Sequence, residues 1–266
     1  MKRIAIVTGA SSGMGACFAS QIADEHESDE LWLIARRADK LSETKKQIEG
    51  RQGGSPLVKT FAVDLSGQKG AREFQNMLLA YAKEEPDFVI SILVNNAGFG
   101  TYGEFADTDT AREMDMVDLN CTSLTGITGY ALPRLAKGSR IINTASLASF
   151  LPLGNFAVYA ATKAYVLSFT VALAAEVKKR GIKVTALCPG PVSTEFANVA
   201  SKGARKEVRH GLSPEKTVAH CLRCSRKGKL YAIWAFKWKF KAAASRFVGR
   251  YAGAWFTYKY CKRPSN

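Results

Sequence analysis

The feature that most constrains this chain is a regular alternation. A short, mostly apolar run is followed by a turn and then by a stretch that suits a helix, at least six times. The runs are residues 3–8 (RIAIVT), 31–35 (LWLIA), 58–63, 88–94 (FVISILV), 139–144 and 182–188. Continuous apolar runs of this length predict strands buried on both faces of a parallel sheet. The intervening helices are expected over 16–23, 38–49, 71–83, 104–135 (one long helix or two) and 157–180. Such alternation predicts an α/β fold with a Rossmann-type, doubly wound parallel sheet. The 266 residues are enough for one large domain and do not require two.

The turns carry the chemistry. The first strand runs into Gly9-Ala10-Ser11-Ser12-Gly13-Met14-Gly15 and then a helix. A glycine-rich turn lets backbone N–H groups approach a pyrophosphate, and the helix N-terminus favours its charge. The second strand ends in Ala35-Arg36-Arg37. A carboxylate there would bind the ribose 2′-OH of NAD. A guanidinium instead suits a 2′-phosphate, so the strand end favours NADP. The fourth strand ends in Asn95-Asn96-Ala97-Gly98, where such sheets bind ligands.

Residues 146–163 read SLASFLPLGNFAVYAATK. Tyr159 and Lys163 are four apart, on one face of a helix and one turn from each other. An ammonium beside a phenol favours the phenolate, so the pair predicts a lowered tyrosine pKa and a proton relay near neutral pH. Ser146, thirteen residues upstream, offers a hydroxyl to the same substrate oxygen. Asn120, inside the long helix over 104–135, is mildly unfavourable there and reads as an exposed polar residue or a local kink.

The ordered motifs resemble those of the short-chain dehydrogenase/reductase family. They are Thr8-Gly9-x-x-x-Gly13-x-Gly15, Asp64-Leu65, Asn95-Asn96-Ala97-Gly98, Asn120, Ser146, Tyr159-x-x-x-Lys163 and Pro189-Gly190. The resemblance covers about residues 3–195 and implies an oxidoreductase that moves a hydride between NADP(H) and a carbonyl or secondary alcohol. It gives Tyr159, Ser146, Lys163 and Asn120 the catalytic roles: proton donor or acceptor, substrate-oxygen donor, ribose ligand, and support for the lysine through water. Gly9, Ser11, Ser12, Gly13, Met14, Arg36, Asp64, Leu65, Asn95, Ala97, Gly98, Tyr159, Lys163, Pro189, Val192 and Thr194 would bind the cofactor, with Ile142 also near the nicotinamide. Pairing into dimers or tetramers through the helices at 104–135 and 157–180 is implied as well. A cofactor-sensing binding protein on the same fold is the alternative, and the complete Ser146–Tyr159–Lys163 set speaks against it, since a sensor needs no proton donor.

Phe99, Leu147, Phe150, Leu151, Phe156 and Phe196 follow or flank these motifs and suggest an apolar substrate such as a steroid, lipid or aromatic ketone; core or interface packing is the competing account. The apolar run before the first glycine is too short for a signal peptide, and the polar residues within 141–162 argue against a membrane span. Six scattered cysteines then point to a reducing cytoplasm. Cys221-x-x-Cys224 with His220 reads as an ordinary helix, and no metal is expected.

The net charge of +15 is unevenly placed. Residues 1–201, read as the dinucleotide-binding and catalytic domain, balance. Residues 202–266 hold 17 Lys+Arg against 2 Asp+Glu, which is the whole excess. This basic, aromatic extension is expected to add a helix packed on or beside the same domain. Phe240, Ala243, Ala244, Phe247, Val248, Tyr251, Ala254, Trp255 and Tyr258 fall at helical spacing, with Lys239, Lys241, Arg246 and Arg250 largely on other faces. A basic amphipathic segment over 226–263 fits a membrane surface, a cover over the substrate pocket, or self-association; no nucleic-acid motif accompanies it.

Overall fold

The computed structural model describes residues 1–51, 56–206 and 211–265. Seven parallel strands form one sheet: β1 (Lys2–Thr8), β2 (Glu30–Ala35), β3 (Leu57–Ala62), β4 (Phe88–Asn95), β5 (Arg140–Thr144), β6 (Lys183–Leu187) and β7 (Tyr231–Ala232). Their order is β3-β2-β1-β4-β5-β6-β7. The order reverses between β1 and β4, and a crevice opens there at the strands' C-terminal ends. The six expected runs coincide with β1 to β6 to within a residue at each end, and the doubly wound α/β fold is the one found.

Side chains along each strand alternate between two cores. Ala5, Val7, Leu31 and Leu33 face α1 (Gly13–Ala23), α2 (Ala38–Glu49) and α8 (Pro214–Arg226), meeting Phe18, Leu41 and Val218. Ile4, Ile6, Trp32 and Ile34 face the opposite layer. That layer holds α3 (Gly67–Glu84), α5 (Leu124–Ala131) and α6 (Ala157–Glu176), through Phe74, Ile127 and Leu173. The apolar helix α6 is long enough to cross a membrane, but it buries Val166, Thr170 and Leu173 in this protein.

The helix expected over 104–135 begins later, as α4 (Thr110–Val117), with Asp109 capping it by accepting from the Ala111 N–H at 3.0 Å. A wider π-helical turn, Asp118–Ser123, then joins α4 to α5. Asn120 sits in that turn and is buried, not exposed.

The C-terminal residues enter the fold at two places. The segment α8 packs on α1, and Tyr231–Ala232 pairs with Ala186–Leu187 as the last strand. Beyond α7 (Phe196–Ala200) and α8 lie α9 (Phe236–Ala244) and α10 (Arg250–Tyr260). The single helix expected through 240–258 is absent. A short turn at Ser245–Phe247 and extended backbone at Val248 and Gly249 break it. The apolar stripe therefore does not continue across the break, and most of it faces outward: Phe240, Phe247, Val248, Tyr251 and Trp255 are exposed.

Candidate active site

The glycine-rich turn and the β4 turn are built as one piece. The Thr8 hydroxyl accepts from the backbone N–H of Asn96 (3.0 Å) and Ala97 (3.1 Å), and the Asn96 amide donates back to the Thr8 carbonyl at 3.2 Å. Gly9 has φ +66°, and a Cβ there would sit 2.9 Å from the Ala97 Cα. Only glycine allows this approach. A cavity of about 850 Å³ runs from these turns across the crevice.

Most of the expected site residues line it. Gly9, Ser11, Ser12, Gly13, Met14, Arg36, Asp64, Leu65, Ala97 and Gly98 are on its wall. Ser146, Tyr159, Lys163, Pro189, Val192 and Thr194 are on it as well. The six apolar residues from Phe99 to Phe196 all line it too. Three residues behave differently. The Asn95 side chain turns inward, donating to Thr128 Oγ1 (2.9 Å) and Asn143 Oδ1 (2.8 Å), and Asn96 takes its place on the wall. Ile142 is wholly buried in the sheet. Asn120 lies behind the wall.

Asn120 has a definite task there. Its Oδ1 accepts from the Phe99 N–H (3.1 Å), while its Nδ2 donates to the Phe99 carbonyl (3.0 Å) and to Thr162 Oγ1 (3.1 Å). It pins the loop after β4 to α6, one residue from Lys163. The π turn widens the helix and turns the side chain into this gap, as such turns often do at functional sites.

Ser146 follows β5 and caps the short turn Leu147–Ser149. The Ser149 hydroxyl donates to the Lys163 carbonyl at 2.7 Å, tying this turn to α6. Tyr159 stacks on Phe156 at 4.0 Å between ring centres, with Phe196 at 5.4 Å. Lys163 Nζ donates to the Thr144 carbonyl at 2.7 Å and lies 5.7 Å from the Tyr159 ring centre. Burial pushes the Tyr159 phenol well up, and the neighbouring Ser146 hydroxyl offsets only part of this. Burial also pulls Lys163 down to about 8. The lowered phenol expected from the sequence is thus overturned. Both groups are enclosed, and the loss of solvation outweighs a charge several ångströms away. Near neutral pH Tyr159 holds its proton and is equipped to give it.

The cover over the pocket, one of the alternatives for 226–263, is built largely from residues that the helical stripe did not include. Arg37 Nη2 reaches Ser12 Oγ (2.7 Å) and Glu195 Oε2 (3.1 Å) across the rim. Trp238 and Lys241 of α9 and Phe256 and Thr257 of α10 close the apolar end, with Arg263 beyond them. Two glycines receive these helices. A Cβ on Gly190 would meet the Trp238 indole at 2.6 Å, and one on Gly154 would meet the Tyr258 backbone N at 2.8 Å. Pro189-Gly190-Pro191 signals a turn in the sequence, but its partner lies some fifty residues away.

The family model for short chain dehydrogenases matches residues 3–205. Sulfoacetaldehyde reductase 2 of Chromohalobacter salexigens is 32% identical over 207 residues, covering 76% of this chain and 78% of that protein. A short-chain dehydrogenase from Sphingobium yanoikuyae in complex with NADPH superposes with a TM-score of 0.79 at 26% identity, covering 92% of this chain and 94% of the other. A Burkholderia phymatum short chain dehydrogenase/reductase in complex with NAD, 20% identical, shares the fold with the same score over 91% and 92% of the two chains. The chain belongs to the short-chain dehydrogenase/reductase family. It is an oxidoreductase of that family, whose members use a nicotinamide cofactor.

Proposed function

We propose that this protein is an NADP-dependent enzyme that reduces a carbonyl group on an apolar substrate, such as a steroid, lipid or aromatic ketone, or oxidises the corresponding secondary alcohol. The observation that carries the reading is the placing of Tyr159, Ser146 and Lys163 together on the wall of a cavity that also holds a glycine cradle. The residues fit a dinucleotide: a turn without side chains at Gly9 and Gly13 faces the N-terminus of α1, which suits a pyrophosphate. Ser11, Ser12 and Met14 border that turn, Asp64 and Leu65 the adenine end, and Ala97, Gly98, Pro189, Val192 and Thr194 the middle and nicotinamide end.

When bound, the nicotinamide supplies or accepts the hydride. The side chains handle the oxygen. In reduction, Tyr159 gives its phenolic proton to the carbonyl oxygen and Ser146 Oγ donates a hydrogen bond to the same atom. Lys163 binds the ribose and, as an ammonium, favours the phenolate left behind. Asn120 is a positioning residue that acts through the Phe99 loop. NADP is favoured because β2 ends in Ala35-Arg36-Arg37 and both arginines line the cavity. The apolar wall from Phe99 to Phe196 supports the substrate class. Exposed Met114 and Val117 on α4 and Tyr165 on α6 support pairing of two chains through those helices.

The test is absorbance of NADPH and of NADH against a panel of ketones that includes steroids. NADPH oxidation with the apolar ketones, several-fold faster than with NADH, is expected. Equal use of NADH sinks the cofactor assignment. Turnover of small polar aldehydes alone sinks the substrate class, and no turnover with any carbonyl returns the protein to a sensing role.

A further inference from the structure

Helices α9 and α10 are packed inside out. Trp238 and Tyr258 are the large side chains on their inner faces; the other inward positions, Ala242 and Ser245 in the first helix and its turn and Gly253, Thr257 and Cys261 in and after the second, are small and buried or half-buried. Their outer faces carry aromatic rings. Phe236 is 82% exposed, Phe247 91% and Tyr251 81%, and Phe240, Trp255 and Tyr260 are also exposed. Lys237, Lys239, Arg246, Arg250 and Lys259 stand among them, all exposed. Apolar surface grouped in this way marks an interaction face. The face lies beyond residues 3–205, the part that the family model matches.

The charge decides between occupants. After Glu215 the sequence contains no Asp or Glu, while thirteen Lys and Arg follow. A second copy set symmetrically against this face would bring cations to cations with no acid to pair them, which opposes association. An anionic surface with an apolar interior answers both features: the rings enter the headgroup–acyl boundary and the cations meet the phosphates. We infer that the outer face of α9 and α10 docks on an anionic lipid bilayer. The inner sides of the same helices wall the cavity, so docking holds its apolar end next to the lipid. The inference concerns the surface alone and stands whether or not the substrate reading does.

The experiment uses the full-length protein with sucrose-loaded vesicles of phosphatidylcholine, alone or with 30% phosphatidylserine by composition, as is usual for testing such faces. Wild type is expected to sediment with the anionic vesicles at least about tenfold better than with the neutral ones, and less as salt rises. A variant carrying Phe240→Ser, Phe247→Ser, Tyr251→Ser and Trp255→Ser lines no part of the cavity. It is expected to keep wild-type circular dichroism and NADPH binding and to lose about tenfold or more in sedimentation. Anionic vesicles are expected to blue-shift the fluorescence of wild type more than that of Trp255→Phe. The inference is overturned if wild type stays in the supernatant, or if the four-serine variant sediments like wild type. It is also overturned if light scattering shows a dimer that the variant converts to a monomer, or if duplex DNA displaces the vesicles and binds the variant equally well.

Discussion

Helix α6 and the pair α9–α10 are both rich in apolar residues, yet they use them in opposite ways. In α6 the reactive pair and several large residues point inward, while Tyr165 faces out: Tyr159, Lys163, Val166 and Leu173 are all buried. In the tail most inward positions are small, Trp238 and Tyr258 excepted, and most of the rings point outward. The difference follows from what each helix meets. α6 lies against the sheet and fills space between β5, β6 and the other helices, so bulk is needed. α9 sets the Trp238 indole on Gly190 and α10 sets its backbone at Tyr258 on Gly154, so the room at both contacts comes from a missing side chain on the body of the protein. Apolar composition alone does not say which face a helix buries; the surface it meets does.

Four measurements sharpen or break this contrast. The largest effect is expected at the buried phenol: Tyr159→Phe should lower kcat by at least ~10²-fold with NADPH binding retained. Near-wild-type turnover would remove α6 from the chemistry. Next, Leu173→Ala should destabilise the protein by about 2–5 kcal/mol in urea unfolding, the scale of an unfilled core site. Third, Gly154→Val should cost about 1–3 kcal/mol by overpacking against Tyr258 and speed proteolysis of the tail; unchanged stability would mean that α10 is not seated there. Smallest, Tyr251→Ser should shift stability by no more than about 0.5 kcal/mol, since the ring packs on little.

The pH dependence belongs with the first of these. Lys163 is held down at about 8 from an ordinary value of 10.5. Reduction that relies on its ammonium should be level below pH 8 and fall as pH rises through it. The effect on stability has the opposite sign. Between pH 8 and 10.5 the unfolded chain binds the proton and the folded chain does not, so stability rises with pH across that window. Thermal melts of wild type against Lys163→Met, compared from pH 7 to 10.5, check this, and a gap that stays constant refutes it.

Much of the fold was legible because its signals are local. Each of the first six strands is an apolar run bounded by a turn, and periodicity alone finds it. β7 escaped because Tyr231–Ala232 offers only two residues, set by pairing to β6. The site was legible where a motif fixes backbone, as at Gly9 to Met14. It was illegible where a neighbour decides. Nothing local separates Asn95 from Asn96, and only the partners Thr128 and Asn143 draw the first one inward. The phenol was misread for a related reason: a spacing of four places Lys163 near Tyr159 but says nothing of how far water is excluded from both. The tail stripe failed at Gly249, where one break changes the phase of every residue after it.

The two glycines that receive the tail have a consequence for change. A methyl group at Gly154 or Gly190 would collide with α10 or α9, so these two positions tolerate almost nothing. The rings on the far side of those helices touch little and tolerate a great deal. Variation can therefore rewrite what the molecule shows to its surroundings while the chamber behind keeps its dimensions, and the two properties can be altered one at a time.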